Sequence, residues 1–409
     1  MSASSSLPPL SLVEAEALVA EGVAAGRLER GAAESLASSM ERPAIREAIM
    51  AGAHESKLRH KGERVSVSRN VFIPLTNLCR DRCTYCGFAK QPDSPEAKTY
   101  TLDEVDAVVR DGVRVGCIEA LMCLGDKPEV AYRSHREWLA AQGYASTVDH
   151  LVEACRVAFE GGMLPHTNAG LLSGEDMERL RPWNASMGLM LENTSQRLRE
   201  RGRAHFHAPD KDPEKRLRMH AEAGELRIPF TSGILLGIGE TGPERLDTLL
   251  AIRDLQDRYG HIQEVIVQPF HAKPETPMGG VASLADHEVV AWVALARLVL
   301  GGEMNLQAPP NLAPEILESL LRAGLNDWGG VSPLTLDFIN PEAPWPELQE
   351  LHECTALSGQ RLVERLPIYP EWLERPEFFD PQVWDSLPRF ANDEGLSRNS
   401  KLQSGEEAA

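Results

Sequence analysis

Three cysteines occur within eight consecutive positions, in the segment CRDRCTYC at residues 79–86. Four thiolates suit a structural zinc ion and two suit a redox pair, whereas three without a nearby fourth Cys or His leave one coordination position open. An open position is typical of a four-iron four-sulfur cluster whose fourth iron binds another ligand. We therefore expect Cys79, Cys83 and Cys86 to hold a 4Fe-4S cluster. A zinc site completed by a distant residue is the alternative.

The other four cysteines are scattered through apolar surroundings, at Cys117, Cys123, Cys155 and Cys354. In such surroundings a cysteine usually acts as a small buried hydrophobic residue. A total of seven cysteines in 409 residues does not indicate a disulfide framework. We expect reduced thiols and hence a cytoplasmic protein.

Charge and hydropathy argue against two classes of partner. A formal net charge of −19 opposes binding to nucleic acid or to an anionic membrane, because both favour a basic surface. The start MSASSSLPPL lacks the basic and apolar regions of a secretory signal, and no apolar run approaches the ~20 residues of a membrane helix. The sequence predicts a cytoplasmic protein with neither partner.

The elements that must position the cysteines alternate regularly from residue 65 onward. Eight β-type runs occur in order: VSVSRNVFIPLTN, CIEALMCLG, MLPHTNAG, ASMGLMLENTS, IPFTSGILLG, IQEVIVQPF, MNLQAPP and LNDWGGVSP. Amphipathic helical stretches separate them, and this alternation predicts an α/β fold, a (βα)8 TIM-type barrel. An open doubly wound sheet is the alternative. Polar or glycine-rich tails on several runs favour the barrel, where the carboxyl ends of all strands form one mouth.

Three regions are predicted along the chain. Residues 1–64 form an N-terminal helical extension, and residues 65–370 form the barrel. A helix after Pro346, within LQELHECTALSGQRLVERL, closes the last βα unit. Residues 371–409 form a C-terminal segment that is partly disordered, with a polar, frayed tail from FANDEG onward.

The cysteine segment resembles the radical S-adenosylmethionine (radical SAM) superfamily, whose members carry C-x3-C-x-aromatic-C after the first barrel strand. Tyr85 occupies the aromatic position. The resemblance implies that the open iron binds the amino and carboxylate groups of S-adenosylmethionine (SAM), a cosubstrate that is cleaved to methionine and a 5′-deoxyadenosyl radical.

The same resemblance implies further SAM contacts, each with a structural alternative. Gly125 and Asp126 stand where the superfamily carries a Gly-Gly-Glu-like segment for the amino group, although a plain turn would also explain them. Glu192 resembles a ligand of the ribose hydroxyls, and a surface charge is the alternative. The remaining predicted contacts are Tyr85 itself, Arg216 for the methionine carboxylate, Gly233 and Gly237 of the segment GILLGIGE, and Val267 beside the adenine. A solvated helix charge is the alternative for Arg216, and core packing is the alternative for Val267.

Flanking segments narrow the resemblance to the deazaflavin synthase family. They are NVFIPLTNLCRDRCTYCGFA, LMCLGDKPE, AHFHAPDK, SGILLGIGET, VQPFHAKPETPM and AGLNDWGGVSPLTLDFINPEAPWPEL. The resemblance implies closure of the central deazaflavin ring in coenzyme F420 biosynthesis, on an intermediate made from tyrosine and a ribitylated diaminouracil, with release of ammonia. It also implies a sister coupling subunit (CofH-type) as partner and an electron donor such as flavodoxin or ferredoxin.

A flat pyrimidine with a ribityl tail needs hydrogen-bonding groups around the barrel mouth. Several polar residues are predicted to contact it: His166 and Asn168 at the end of the third strand, His271 and Lys273 after the sixth, and Asn326, Asp327 and Trp328 at the end of the eighth. Structural roles are the alternative for each, and the general acid that helps ammonia to leave is not identified.

Three other functions remain open. The sister coupling enzyme and the menaquinone-pathway radical enzymes share the cysteine spacing and the barrel. The segment NDWGGVSPLT favours the ring-closing subunit. A non-catalytic iron–sulfur or zinc-stabilised binding protein is the alternative from another class.

Overall fold

The computed structural model describes residues 10–400 and residue 402. Nine strands lie in one parallel sheet. They are β1 (Arg64–Thr76), β2 (Glu119–Leu124), β3 (Leu164–Asn168), β4 (Ser186–Gly188), β5 (Phe230–Leu236), β6 (Ile262–Pro269), β7 (Asn305–Gln307), β8 (Asp327–Val331) and β9 (Arg361–Arg365).

The first strand closes the barrel because it pairs on both sides. Its carboxyl half runs beside β2, with Asn70 opposite Glu119, and its other edge pairs with β8. Strands β1 to β8 therefore form a closed ring, which confirms the predicted (βα)8 barrel and rules out the open sheet.

The ninth strand was not expected from the sequence. The run RLVERL was assigned to the last helix, but that helix ends at Leu357 and Gly359 turns the chain with φ +72°. Residues 361–365 then pair in parallel with the amino half of β1. This pairing is possible because β1 is 13 residues long and β2 covers only its carboxyl part.

Fourteen α-helices surround the strands in the described part of the chain. They are α1 (Leu12–Ala25), α2 (Arg30–Ser39), α3 (Pro43–Lys61), α4 (Leu102–Arg114), α5 (Pro128–Ala131), α6 (Arg133–Ala141), α7 (Thr147–Glu160), α8 (Gly174–Leu180), α9 (Pro213–Glu225), α10 (Gly242–Tyr259), α11 (Asp286–Leu300), α12 (Leu317–Arg322), α13 (Leu348–Leu357) and α14 (Pro381–Ser386). Several begin at Ser or Thr capping boxes that satisfy the first free backbone N–H groups, as at Thr101 and Thr241. None of the helices within residues 10–400 is long and apolar enough to cross a membrane.

The N-terminal helices pack on the outside of the barrel. Helix α3 contacts α1, α11 and α12, and α2 contacts α10 and α11. Ile45 and Ile49 of α3 are fully buried in the main hydrophobic core. The predicted helical extension is thus part of the outer helical layer.

The C-terminal segment covers the amino ends of the strands. Tyr369, Trp372 and Phe378 cluster with Ile118 and Leu164, which lie at the starts of β2 and β3. This apolar cluster closes the bottom of the barrel, opposite the mouth.

Residues 390–400 are ordered where the sequence analysis expected a frayed tail. Leu396 is 1% exposed, and Ser397 donates its backbone N–H to the carbonyl oxygen of Glu364 at 2.8 Å. The segment is polar in composition, but burial of Leu396 and the hydrogen bond from Ser397 to β9 hold it in place. The rest of the expected tail, residue 401 and residues 403–409, lies outside the described residues.

Candidate active site

The loop that follows β1 carries the three cysteines and is held by backbone hydrogen bonds to other loops of the mouth. Arg80 N–H donates to the carbonyl oxygen of Asp126 at 2.9 Å, and Thr84 N–H donates to that of Ala204 at 3.0 Å. The Arg80 guanidinium also forms a two-point ion pair with Asp210. The loop therefore has a defined position before any ligand binds.

A glycine after β2 allows close contact with the cysteine loop. A Cβ at Gly125 would lie 2.0 Å from the carbonyl oxygen of Leu78 and 2.7 Å from the Cβ of Cys79. No other residue fits there without displacing backbone. The next residue, Asp126, donates its N–H to the Cys79 sulfur at 3.1 Å, a contact that orients this thiol.

The three cysteine sulfurs do not all lie as close together as the ligands of a single zinc ion. Thiolates around one tetrahedral zinc lie roughly 4 Å apart, given Zn–S bonds of about 2.3 Å. Among residues 10–400 and 402, the only three-residue group of metal-ligating side chains with atoms within 4.8 Å of one another consists of aspartates. Burial raises the pKa of Cys79 to about 12 and raises that of Cys83 strongly. A cationic iron centre would favour the thiolates that burial disfavours.

A cavity of about 250 Å³ opens beside Cys79 and Cys86 at the barrel mouth. Carboxylates, cations and apolar side chains all face it. The carboxylates are Asp81, Asp126 and Glu192, the cations are Lys211, Lys273 and Arg216, and the apolar residues include Cys123, Met190, Leu235 and Phe270. A cavity with both signs of charge suits a zwitterionic ligand that also has an apolar or aromatic part.

Glu192 is the centre of a buried hydrogen-bond network on this wall. The Tyr85 hydroxyl donates to its carboxylate at 2.6 Å, Lys211 donates to the other oxygen, and His205 lies 3.2 Å away. Burial alone would raise the pKa of Glu192, but Lys211, His205 and Arg216 hold it well below its usual range. The residue also has φ +63°, a conformation rare outside glycine and asparagine. The fold thus holds an ionised acceptor in a strained position.

The sequence and the fold of this chain are similar to those of known proteins. Residues 73–252 match the Radical SAM superfamily. The 7,8-didemethyl-8-hydroxy-5-deazariboflavin synthase of Methanopyrus kandleri is 48% identical over 335 residues, which cover 82% of this chain and 100% of that protein. The chain belongs to the deazariboflavin synthase family. It is therefore a radical SAM enzyme of deazaflavin synthesis, and the family implies a 4Fe-4S cluster and SAM.

Longer relatives contain a region similar to this chain. The FO synthase of Mycobacterium tuberculosis is 49% identical over 344 residues, and that of Streptomyces coelicolor is 45% identical over 349 residues. The alignments cover 82% and 83% of this chain but 40% of each FO synthase. Among solved structures, an [FeFe]-hydrogenase maturase has a TM-score of 0.70 at 15% identity, covering 87% of this chain and 76% of that one. Methylornithine synthase has a TM-score of 0.66 at 17% identity, covering 85% and 97%, so both share the fold.

In this deazariboflavin synthase relative, most predicted contacts converge on the one cavity. Tyr85, Gly125, Asp126, Glu192 and Arg216 line it, as do three of the predicted substrate residues: Asn168, His271 and Lys273. His166 lies deeper, in a second chamber below this cavity. Residues far apart in the sequence meet here because each follows or ends a barrel strand.

The two predicted glycines, Gly233 and Gly237, are not among the residues that line the cavity. Gly233 lies within the strand and not after it, and a Cβ there would be 2.5 Å from the Ile266 carbonyl oxygen. Gly237 turns the chain after the strand with φ +98°. Its N–H and that of Ile238 donate to the Glu240 carboxylate at 2.7 and 2.8 Å, which fixes the turn.

Val267 does not contact the cavity, which corrects the prediction for this residue. It is fully buried in the main hydrophobic core, whereas its neighbours Gln268 and Phe270 line the cavity. Alternate residues of a strand face opposite sides, so β6 presents Gln268 to the barrel interior and Val267 to the helices.

The segment 326–328 is at the opposite end of β8 from the position expected. The strand starts at Asp327, so these residues lie near the bottom of the barrel and not at its mouth. Trp328 is fully buried, and its indole N–H donates to Thr355 of α13 at 3.3 Å. Asn326 accepts from Arg297 at 2.6 Å, and Asp327 pairs with Arg365. All three side chains are therefore engaged in contacts within the fold, away from the cavity.

Several residues at the cavity were not predicted from the sequence. Lys211 and His205 contact Glu192 but lie in the loop between a 3-10 helix (Gln196–Arg199) and α9, where no periodicity predicts the direction of a side chain. Met190 and Gln268 also line the cavity. A polar residue in an otherwise apolar run, such as Gln268 in IQEVIVQPF, is the signal that could have identified one of them.

Proposed function

We propose that this chain closes the central ring of 7,8-didemethyl-8-hydroxy-5-deazariboflavin. Its substrate would be 5-amino-5-(4-hydroxybenzyl)-6-(D-ribitylimino)uracil, and its products would include ammonia, 5′-deoxyadenosine and methionine. The supporting observation is the match over the full length of the Methanopyrus kandleri synthase together with 40% coverage of FO synthase. A chain that matches 40% of an FO synthase would carry out one of the two steps of the synthesis, coupling or ring closure.

Cys79, Cys83 and Cys86 would hold the 4Fe-4S cluster, with Gly125 and Asp126 packed against the first of them. When bound, the cluster and SAM supply the 5′-deoxyadenosyl radical that removes a hydrogen atom from the substrate. The loop anchors at Asp126 and Ala204 hold the cysteine loop in place, with Cys79 and Cys86 at the cavity wall.

Glu192 would accept hydrogen bonds from the ribose hydroxyls, since it is ionised and held by Tyr85 and Lys211. Asp126 would accept a hydrogen bond from the amino group of SAM. Its Oδ2 accepts the Leu171 N–H at 3.0 Å, while its buried Oδ1 has no hydrogen-bond partner in the described structure. Arg216 would face the carboxylate, and its guanidinium is already fixed by the Met190 carbonyl oxygen.

Asn168, His271 and Lys273 would contact the pyrimidine from the other side of the cavity. His271 Nε2 lies 2.5 Å from the Leu312 carbonyl oxygen, and Lys273 donates to that of Ile339 at 2.5 Å. These bonds connect the loop after β6 to the loops after β7 and β8. They hold polar groups in fixed positions and help to exclude water.

The substrate would come from a sister coupling subunit that joins tyrosine to 5-amino-6-ribitylaminouracil. Reducing electrons would come from a flavodoxin or ferredoxin. Both are proposed as transient protein partners, in keeping with the small-molecule nature of the intermediate.

The test is an anaerobic assay of cluster-loaded protein with SAM, a reductant and the coupled intermediate. We expect fluorescent deazaflavin and 5′-deoxyadenosine to form together, and both to disappear in Cys83→Ala. Formation of 5′-deoxyadenosine without deazaflavin would reject ring closure while leaving the radical SAM chemistry intact. Coupling of tyrosine to the diaminouracil by this chain alone would identify it as the sister enzyme.

A further inference from the structure

The interior of this barrel is polar at depths where barrels are normally apolar. Branched aliphatic side chains usually fill the layers inside a (βα)8 barrel. Here the inward positions of the lower layers carry Ser66, Ser68, Glu119, Glu264, Asp327 and Arg365. Glu119, Glu264 and Arg365 are 6%, 5% and 3% exposed. Burying such groups is unfavourable unless they are paired or serve a ligand.

Part of this polar floor is a self-contained ion-pair network. Arg365 donates from Nε and Nη2 to Asp327 at 2.7 and 2.8 Å, and Nη2 lies 3.2 Å from Glu264. Ser66 donates to the same aspartate. Arg365 Nη1 donates to the Leu366 carbonyl oxygen at 2.9 Å, so every nitrogen of this guanidinium already has a partner.

Above the floor lies a chamber of about 170 Å³, enough for roughly five water-sized groups. Its lining offers both donors and acceptors: Asn70, Glu119, His166, Thr231, Glu264, Gln268 and Gln307. It shares Asn168, Gln268, Ile339 and Asn340 with the cavity beside the cysteines. A single elongated ligand can thus occupy both spaces.

The charge of the chamber selects against anions. Among the described residues that line it, Arg365 is the only permanent cation, and two carboxylates already face it. Burial, and then Arg365, lowers the pKa of His166 to about 3, so this imidazole is neutral. Burial raises the pKa of Glu119 and raises that of Glu264 to about 7. Carboxyl, amide and hydroxyl groups suit alcohol groups, whereas a phosphate would find no unpaired cation among the described residues of this lining.

Glycines preserve the open space. A Cβ at Gly330 would lie 2.1 Å from Asn70 Nδ2, and one at Gly188 would lie 3.1 Å from His166 Nε2. Small residues at these positions leave the polar side chains room to face a ligand.

We propose that this chamber is the subsite for a neutral polyhydroxylated chain, the unphosphorylated ribityl tail of the substrate, with the pyrimidine ring above it in the cavity beside the cysteine loop. The assignment rests on the proposed function. It makes the barrel interior, and not the mouth loops, the part that selects the substrate by its tail.

The test measures binding of three compounds to anaerobic, cluster-loaded protein by calorimetry. They are 5-amino-6-ribitylaminouracil, its 6-pentylamino analogue, and the ribityl 5′-phosphate. Each hydrogen bond contributes about fivefold in affinity, so we expect the ribityl compound to bind about 10- to 100-fold more tightly than the pentyl compound. We expect the phosphate to bind at least about tenfold more weakly than the ribityl compound.

Two buried threonines provide a matched pair of variants. Thr231 of β5 lines the chamber and donates to Glu264 at 3.1 Å. Thr167 of β3 faces the helices and donates to Asn184 at 2.7 Å. We expect Thr231→Val to reduce the ribityl-to-pentyl preference about fivefold and Thr167→Val to leave it unchanged. Glu119→Gln, which keeps the side-chain shape, should also reduce the preference.

Equal affinity of the wild type for the ribityl and pentyl compounds would overturn the proposal. So would an unchanged preference in both Thr231→Val and Glu119→Gln. Because binding is measured without turnover, the subsite can be established even if the ring-closure assay fails. Failure of ring closure with a strong ribityl preference would reject the proposed function alone.

Discussion

The charge of each carboxylate in the site depends on the residues that contact it. Glu192 stays ionised although it is buried, because Lys211 and Arg216 are close to its carboxylate. Asp126 lacks such a cation at close range, and burial together with Asp210 raises its pKa to about 6. Two carboxylates of one cavity wall therefore differ in basicity because their neighbours differ.

Glu192→Gln should weaken SAM binding without removing the cluster. The change removes the ion pair with Lys211 and weakens an acceptor for two hydroxyls, which together correspond to about 1–3 kcal/mol. We expect the KM for SAM to rise about tenfold or more, measured by 5′-deoxyadenosine formation, with unchanged iron content. Glu200→Gln, at an exposed position on the same loop, is the control. A KM equal to the wild-type value would show that Glu192 serves only the framework.

At the scale of elements, the mouth is assembled where a strand end meets a neighbouring loop. The loop after β2 passes so close to the cysteine loop that Gly125 has no room for a side chain. The long β1 brings its own carboxyl end to the same level as that of β2, with Thr76 opposite Leu124. Register and a single glycine thereby fix the distance between the two loops.

Gly125→Ala should disrupt the cluster site. The new methyl group would overlap the Leu78 carbonyl oxygen and the Cys79 side chain, so backbone must move by an ångström or more. We expect iron per chain and the visible absorbance of the reconstituted protein to fall several-fold. Gly31→Ala is the matched control, since Gly31 lies in α2 with open space around its Cα and alanine favours helix. Full iron loading of Gly125→Ala would contradict the tight packing.

At the scale of the whole molecule, the barrel has a closed bottom and an open mouth. The C-terminal apolar cluster covers the strand starts, while loops after the strands surround the cavity. Many polar groups are buried away from the mouth, and the stability of the fold depends on their charge state. Neutral histidines are among them. Burial lowers the pKa of His150 to about 4, that of His220 to about 4 and that of His261 to about 3.

His150 should make the protein less stable in mild acid. Its pKa is about 4 in the folded state against 6.5 in the unfolded chain, so the unfolded chain binds the proton first as the pH falls. Stability from this residue is present above pH ~6.5 and decreases down to pH ~4, by about 1–2 kcal/mol at pH 5. Chemical denaturation at pH 7.5 and at pH 5 gives the free energy of unfolding under each condition. Between these two pH values the free energy of unfolding should fall less in His150→Phe than in the wild type. An equal loss in both proteins would mean that His150 is protonated in the folded state.

Features that depend on neighbours along the chain can be predicted from the order of the residues alone. The spacing of Cys79, Cys83 and Cys86 specifies how many thiols one loop presents, and the alternation of β-type and helical runs specifies the barrel. Tyr85, Asp126 and Glu192 could be placed at the mouth because each follows a strand end. These inferences need only local periodicity and the rule that strand ends share one face.

The direction of each side chain and its contacts, in contrast, depend on how distant parts of the chain pack together. A strand run does not reveal its phase: Gln268 faces the barrel interior, whereas the adjacent Val267 faces the core. Nor does it reveal where a strand begins, so Trp328 was expected at the mouth but lies at the start of β8. The pairing of Arg365 with Asp327 joins a strand that local propensity assigned to a helix. The polar chamber combines side chains from most of the strands, and their orientations are set together when the sheet closes.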